Sequence, residues 1–175
     1  MCSSDLFVES LGLLYLPKLL IDGFHLARSK DSARFDGVSK QHRAALGPVF
    51  AGEESGAALQ QRVDLAQGIL RNMGLTSRFA RLVVLCGHSS ETANNPLKAG
   101  LDCGACGGHS GESNARTAAA ILNDPVVRGR LAQRGLFVPD DVWFLGALHN
   151  TTTDEIDFFD VDLVPSTHTG DLAKL

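Results

Sequence analysis

The chain reads as an α/β protein, with a parallel or mixed sheet flanked by helices. A short run rich in Val and Leu, Arg81 to Cys86, is followed by a glycine-rich connection and two helical stretches. A second apolar run, Asp141 to Leu148 (DVWFLGAL), then follows. His88 and His149 stand just past these two runs. In open α/β sheets, ligands gather beyond the carboxyl ends of the strands.

Residues 6–27 are rich in Leu, Ile and Phe but are broken by Glu9, Gly12, Pro17, Lys18, Asp22 and Gly23. A transmembrane helix needs about 20 mostly apolar residues, and no basic segment of a signal peptide precedes the stretch. Residues 1–27 are therefore expected to be an amphipathic helical segment bent at Pro17 and packed on a core. Attachment to a membrane surface or a partner is the alternative. Residues 28–56 read as a polar connection.

Ala57 to Asn72 carries Leu59, Val63, Leu65, Ala66, Ile69 and Leu70 at helical spacing and stops before Gly74. Arg81 to Cys86 has the composition of a buried parallel strand. Residues 87–112 form a long glycine-rich loop, and loops this long are usually functional. Ser113-Asn114 is expected to cap a helix through Ala115–Leu122. Asp124-Pro125 starts a further helix that runs to about Arg134 and stops at Gly135. Asp141–Leu148 is a second buried strand. Ile156–Val161 is a third, polar at alternate residues and therefore edge-like.

With 175 residues, the chain suits one domain or a large piece of one. Its net charge is −4 and no basic cluster exceeds two residues, which argues against nucleic acid as a main partner. Of the four cysteines, Cys86, Cys103 and Cys106 fall in one region with His88, and only Cys2 lies elsewhere. A secreted disulfide scaffold would spread them, so a reduced cytosolic setting is expected.

Fifteen residues after His88 comes Asp102-Cys103-Gly104-Ala105-Cys106-Gly107-Gly108. An imidazole and thiols offered to one neighbourhood suit zinc. Gly100, Gly104, Gly107 and Gly108 allow the loop to fold back on the strand end. The plainer reading of His88 is a buried histidine satisfied by a carbonyl. Cys103 and Cys106 also form a C-x-x-C that suits thiol–disulfide exchange. Cys86 is expected to be a buried residue at the strand end. A glycine-rich stretch before a helix also suits a phosphate, but the Gly-Lys-Ser/Thr and G-x-G-x-x-G patterns are missing. Arg116, in the first helical turn, either binds a small anion or pairs with Glu112. Asn94-Asn95-Pro96 makes a turn. Thr151, Thr152, Thr153 and Asp154 are expected to satisfy backbone groups at a strand end. His25, His42 and His168 have no partner apparent from sequence, and His109 reads as a surface residue, with proton shuttling as the alternative.

These residues carry a family resemblance. His88, Asn94-Asn95-Pro96, Asp102 to Gly108 and Asn114-Ala115-Arg116 resemble the DabA family, as do Leu122-Asn123, Val127-Arg128 and His149 to Asp154. The likeness is dense over residues 80–160 and looser around Val8 to Gly12. The resemblance implies a β-carbonic anhydrase-like core, incomplete here. It implies Zn2+ held by two cysteines, a histidine and an aspartate. Carried onto this chain, His88 and Cys103 are ligands, with Asp102, Cys106, Arg116 and His149 as surrounding or anion-binding candidates. The family's other two ligands belong to an upstream Cys-x-Asp-x-Arg motif, which this sequence lacks. Ser89 also stands where a glycine is expected. Residues 1–175 are thus expected to be part of one α/β domain of a larger protein, with a zinc half-site in 57–163.

The implied activity is hydration of CO2 to bicarbonate by water activated at zinc. The implied setting is an energy-coupled inorganic carbon transporter, peripheral on the cytoplasmic face of a bacterial membrane. Its partner there would be a membrane-embedded, ion-translocating, DabB-like subunit. A thiol–disulfide oxidoreductase using Cys103 and Cys106, or a non-catalytic α/β binding module, remains the alternative.

Overall fold

The structure is a computed structural model that describes Pro17, residues 46–48, 50, 56–90 and 109–175. The chain divides into two units, Met1–Arg34 and Phe35–Leu175. Within the first, only Pro17 is described, helical and exposed. The expected amphipathic segment 1–27 and most of the connection 28–56 otherwise lie outside the described residues.

The second unit runs α1 (Ala57–Asn72), β1 (Leu82–Ser89), α2 (Glu112–Asn123), α3 (Pro125–Gln133), β2 (Trp143–Asn150) and β3 (Glu155–Phe158). Two single 3-10 turns, Val161–Leu163 and Ser166–His168, lead into the short α4 (Thr169–Leu172). The three strands form a mixed sheet in the order β1-β2-β3. β1 and β2 are parallel with Leu82 opposite Trp143 and His88 opposite His149, and β3 returns antiparallel to β2. Helices plus a small open mixed sheet make this an incomplete α/β fold.

Helix α1 buries Leu59, Val63, Ala66 and Leu70 at the expected spacing, while Leu65 is exposed. Helices α1 and α3 end alike. Gly74 and Gly135 adopt positive φ (69° and 79°), and the next residue's N–H reaches back to Leu70 O and Leu131 O. Those bonds satisfy carbonyls that a helix end leaves open, and a left-handed residue favours glycine there. Leu75 and Leu136 then turn into the core. Asp124 caps α3, accepting from the Val126 and Val127 amides at 2.8 and 3.3 Å, with Pro125 in the first turn. Helix α2 begins at Glu112, earlier than the Ser113-Asn114 cap expected, because Gly111 N–H already bonds His88 O at 2.9 Å.

Alternation along β1 and β2 sorts their side chains. Val83, Leu85, Gly87 and Ser89, with Phe144, Gly146, Leu148 and Asn150, share one face. Leu85 and Phe144 on that face belong to the core with Val63, Leu70, Leu122, Val127 and Leu131. The opposite face carries Val84, Cys86 and His88 beside Leu145, Ala147 and His149. Cys86 is exposed rather than buried, because β1 is an edge strand among the described residues. For the same reason β1 is only half-buried at Leu82, Val83 and Val84.

Polar side chains tie the helical layer to the start of β2. Asn123 mimics a neighbouring strand, donating to Phe144 O (2.8 Å) and accepting from Phe144 N–H (3.0 Å). Arg128 donates to Leu122 O and Val142 O, both at 2.7 Å, and to Asn123 Oδ1 at 3.1 Å. Its guanidinium stands 5.8 Å from the Phe144 ring centroid. Burial pulls the Arg128 pKa below its ordinary value, with nearby Asp140 opposing. His168, buried at 3% exposure, has Nε2 2.9 Å from Asp141 O and Nδ1 3.0 Å from Thr167 Oγ1. A carbonyl only accepts, so Nε2 carries a proton, and in the neutral ring Nδ1 then accepts from Thr167.

Asn123→Ala leaves both backbone groups of the buried Phe144 unpaired. At about 1–3 kcal/mol for each of the two orphaned groups, a total loss of about 2–6 kcal/mol is expected, read as a lowered thermal midpoint. An unchanged midpoint would mean that Asn123 does not hold β2 in register.

Candidate metal centre at the carboxyl edge of the sheet

Three close approaches build the carboxyl edge. A Cβ on Gly87 would fall 2.6 Å from Gly111 O, and one on Gly111 would fall 2.8 Å from His88 N. A Cβ on Gly146 would fall 3.2 Å from the Arg116 backbone. Helix α2 therefore lies with its first turn directly against the end of β1 and crosses β2 at a glycine. Ala115 and Ala119 continue this narrow contact surface.

The β1 register then fixes the histidines. His88 and His149 are direct partners on neighbouring parallel strands, so their side chains leave the same face about 4.8 Å apart at the backbone. His88 is exposed, where the plainer reading expected a buried histidine. His149 is partly exposed, with Nε2 2.7 Å from Asp154 Oδ1. Asp154 sits at positive φ (58°) in the β2–β3 turn, which aims it back at the strand end. Ile156 faces His149 across β3 and is exposed.

On the helical face of the same edge, Ser89 and Asn150 are buried register partners. The Ser89 carbonyl accepts from Thr151 N–H (2.8 Å) and Thr151 Oγ1 (2.9 Å). Asn150 Oδ1 accepts from Thr152 N–H (3.0 Å) and Thr153 N–H (3.4 Å). The threonine-rich turn thus closes backbone groups at the strand end.

Arg116 lies at the first turns of α2 with a side chain 5% exposed. Its Nη1 meets Glu112 Oε1 at 3.2 Å, and its Nε and Nη2 form a two-point pair with Asp160 at 2.9 and 2.6 Å. The Phe159 ring covers it at 5.4 Å. The hydrogen bonds Arg116 donates to Asp160, then the charge of Asp160 and the contacts of Glu112, raise the Arg116 pKa against the opposing effect of burial. The Glu112 pairing was readable at i,i+4 spacing. The Asp160 pairing, 44 residues away, had no local signal.

Asp102, Cys103 and Cys106 lie outside the described residues, so His88 and His149 are the two sequence-derived candidates that the structure brings together. Among the described residues, no group of three or more His, Cys, Asp or Glu side chains is placed to hold a metal ion. An exposed imidazole at a strand end fits a contribution to a shared metal site, with the remaining ligands drawn from other segments.

A family model described as "Probable inorganic carbon transporter subunit DabA" matches residues 1–175. The chain belongs to the DabA family. It is 49% identical to a "Probable inorganic carbon transporter subunit DabA 2" of Bradyrhizobium sp. (strain BTAi1), over 99% of this chain and 21% of that protein. It is 47% identical to a DabA protein of Roseiflexus sp. (strain RS-1), over 97% of this chain and 21% of the relative. A Chloroflexus aurantiacus relative is 48% identical with the same coverage. The chain thus spans about a fifth of the length of these DabA proteins. No solved structure matches it.

Arg116→Ala removes the cation that the buried Glu112 carboxylate and Asp160 both face. Removing one partner of a buried pair typically costs about 3–5 kcal/mol. Arg116→Lys should recover only part of this, since an ammonium cannot reproduce the two-point pairing with Asp160. Thermal unfolding of both variants reads the order. Equal stability of wild type and Arg116→Ala would show that the pair does not anchor α2.

Proposed function

We propose that this DabA chain supplies half of a zinc site in a subunit of an energy-coupled inorganic carbon transporter. The observation that carries the reading is the DabA match over all 175 residues, together with His88 exposed at the carboxyl end of β1. The names of the relatives support a role in inorganic carbon transport.

In this reading His88 and Cys103 hold the zinc, and the rest of the subunit supplies the remaining ligands. Bound zinc brings Lewis acidity that makes a coordinated water acidic near neutral pH, as carbonic anhydrase-like hydration of CO2 requires. The chain's own residues set the stage for that chemistry. The Gly87–Gly111 contact holds the β1 end, and so His88, against a rigid helix. His149, oriented by Asp154, flanks His88 and is suited to fix water or exchange protons at the edge.

No described helix is long and apolar enough to cross a membrane. Attachment at the cytoplasmic face through a membrane-embedded, ion-translocating partner is accordingly part of the proposal.

Zinc analysis of the intact subunit tests the ligand assignment. His88→Ala and Cys103→Ser are expected to lose stoichiometric zinc, and Cys106→Ser to keep it. Equal loss from Cys103→Ser and Cys106→Ser would overturn the assignment. A reversible Cys103–Cys106 disulfide in a protein without zinc would point to thiol chemistry instead.

A further inference from the structure

Two buried polar atoms at the carboxyl edge have no hydrogen-bond partner among the described residues: Ser89 Oγ and Asn150 Nδ2. Asn150 is fully buried and Ser89 is 8% exposed. The orientation of the Asn150 amide is fixed, because its Oδ1 already accepts from the Thr152 and Thr153 amides. The group left over is therefore the NH2 donor. Buried polar groups are normally paired. Two orphans on adjacent residues of neighbouring strands are a second and independent sign beside the helix end they adjoin.

Their placement follows from register. Ser89 and Asn150 are direct partners in the parallel pair, so they share a face. It is the face of Gly87, whose backbone touches Gly111 at the start of α2. The cap residue of that 12-residue helix is Gly111, which offers no side chain, and the Glu112 amide is taken up by Ser110 Oγ at 3.3 Å. First-turn amides such as those of Ser113 and Asn114 precede the helical i to i−4 pattern, and the helix dipole adds partial positive charge there. A hydroxyl and a carboxamide NH2 thus share the face of the strand ends against which the first turn of α2 packs.

We propose that Ser89, Asn150 and the amino end of α2 bind one small monovalent oxyanion. Every group offered can donate, so the ligand must accept. Arg116 on the same helix is committed to Glu112 and Asp160. The corner therefore presents neutral donors and a partial dipole rather than a full cation, which suits a single negative charge better than phosphate or sulfate. Naming the ion as bicarbonate rests on the function proposed above. The site itself lies on the helical face of the sheet, opposite the face that carries His88.

The test is thermal unfolding of the intact subunit, titrated with sodium bicarbonate against sodium chloride at equal ionic strength, with and without chelator-stripped zinc. Formate serves as a second monovalent oxyanion, and sulfate as the divalent control. Wild type should gain stability saturably with bicarbonate in both zinc states. Ser89→Ala, which removes one donor to a charged ligand, should need about 10- to 100-fold more bicarbonate for the same shift. Asn150→Asp keeps the turn acceptor, replaces the donor with a repelling carboxylate, and should abolish the response. Zinc content of Ser89→Ala should match wild type. Formate acting without bicarbonate would keep the oxyanion site and discard the link to inorganic carbon. A bicarbonate response in a protein that never binds zinc would leave this site standing while the metal reading fails. An unresponsive wild type, a stronger response to sulfate, or a Ser89→Ala titration identical to wild type would overturn the proposal.

Discussion

At Gly87 the backbone of β1 runs so close to the first turn of α2 that no side chain fits between them. A methyl group there would meet the Gly111 carbonyl at 2.6 Å, and the His88 carbonyl accepts the Gly111 N–H at 2.9 Å. The contact has two consequences. It sets the amino end of α2 at the carboxyl edge of the sheet, and it fixes the height at which His88 leaves the strand. Gly146 repeats the arrangement one strand over, against the backbone of Arg116. Close-packed interiors transmit such constraints with little slack. The position of every group at the edge therefore depends on two strand residues having no Cβ.

The polar residues around this contact divide into those that hold the scaffold and those that face the edge. Asn123 and Arg128 hold it, with backbone carbonyls of Leu122, Val142 and Phe144 as their partners. Arg116 also holds it, joining α2 through Glu112 to Asp160 beyond β3. An arginine in the first turn of a helix beside glycines looks like an anion ligand, and its guanidinium is instead committed to two carboxylates. By contrast the exposed pair Asp64 and Arg134, 2.7 Å apart between α1 and α3, contributes little, because solvent screens such contacts. The Arg134 hydrogen bond, joined by one from Gln60, lowers the Asp64 pKa.

Much of the scaffold was legible because its signals are local. The apolar spacing of α1, the Asp124-Pro125 start of α3, and the stops at Gly74 and Gly135 each follow from a few adjacent residues. The α/β class followed from two apolar runs separated by helices. Cys86 was misjudged because an apolar run does not say whether its strand lies at the edge of the sheet. The true start of α2 was hidden for a related reason, since the partner of its Gly111 amide is a carbonyl on β1. Asp160 as the partner of Arg116, and Ser89 as the neighbour of Asn150, are products of register. The histidines stood out because both follow apolar runs, although only the parallel pairing of β1 with β2 makes them direct neighbours. The thiol proposed to join His88, that of Cys103, falls outside the described residues, as does Cys106.

The central claim is that the strand end fixed by α2 presents His88 to a metal shared with Cys103. Anomalous diffraction at the zinc edge from crystals of the intact subunit tests it most directly. The account predicts one strong peak at the carboxyl edge of the sheet, about 2.0–2.1 Å from a ring nitrogen of His88 and about 2.3 Å from Cys103 Sγ. A zinc peak bound elsewhere in the subunit, or one at this edge with His88 turned away from it, would contradict the claim.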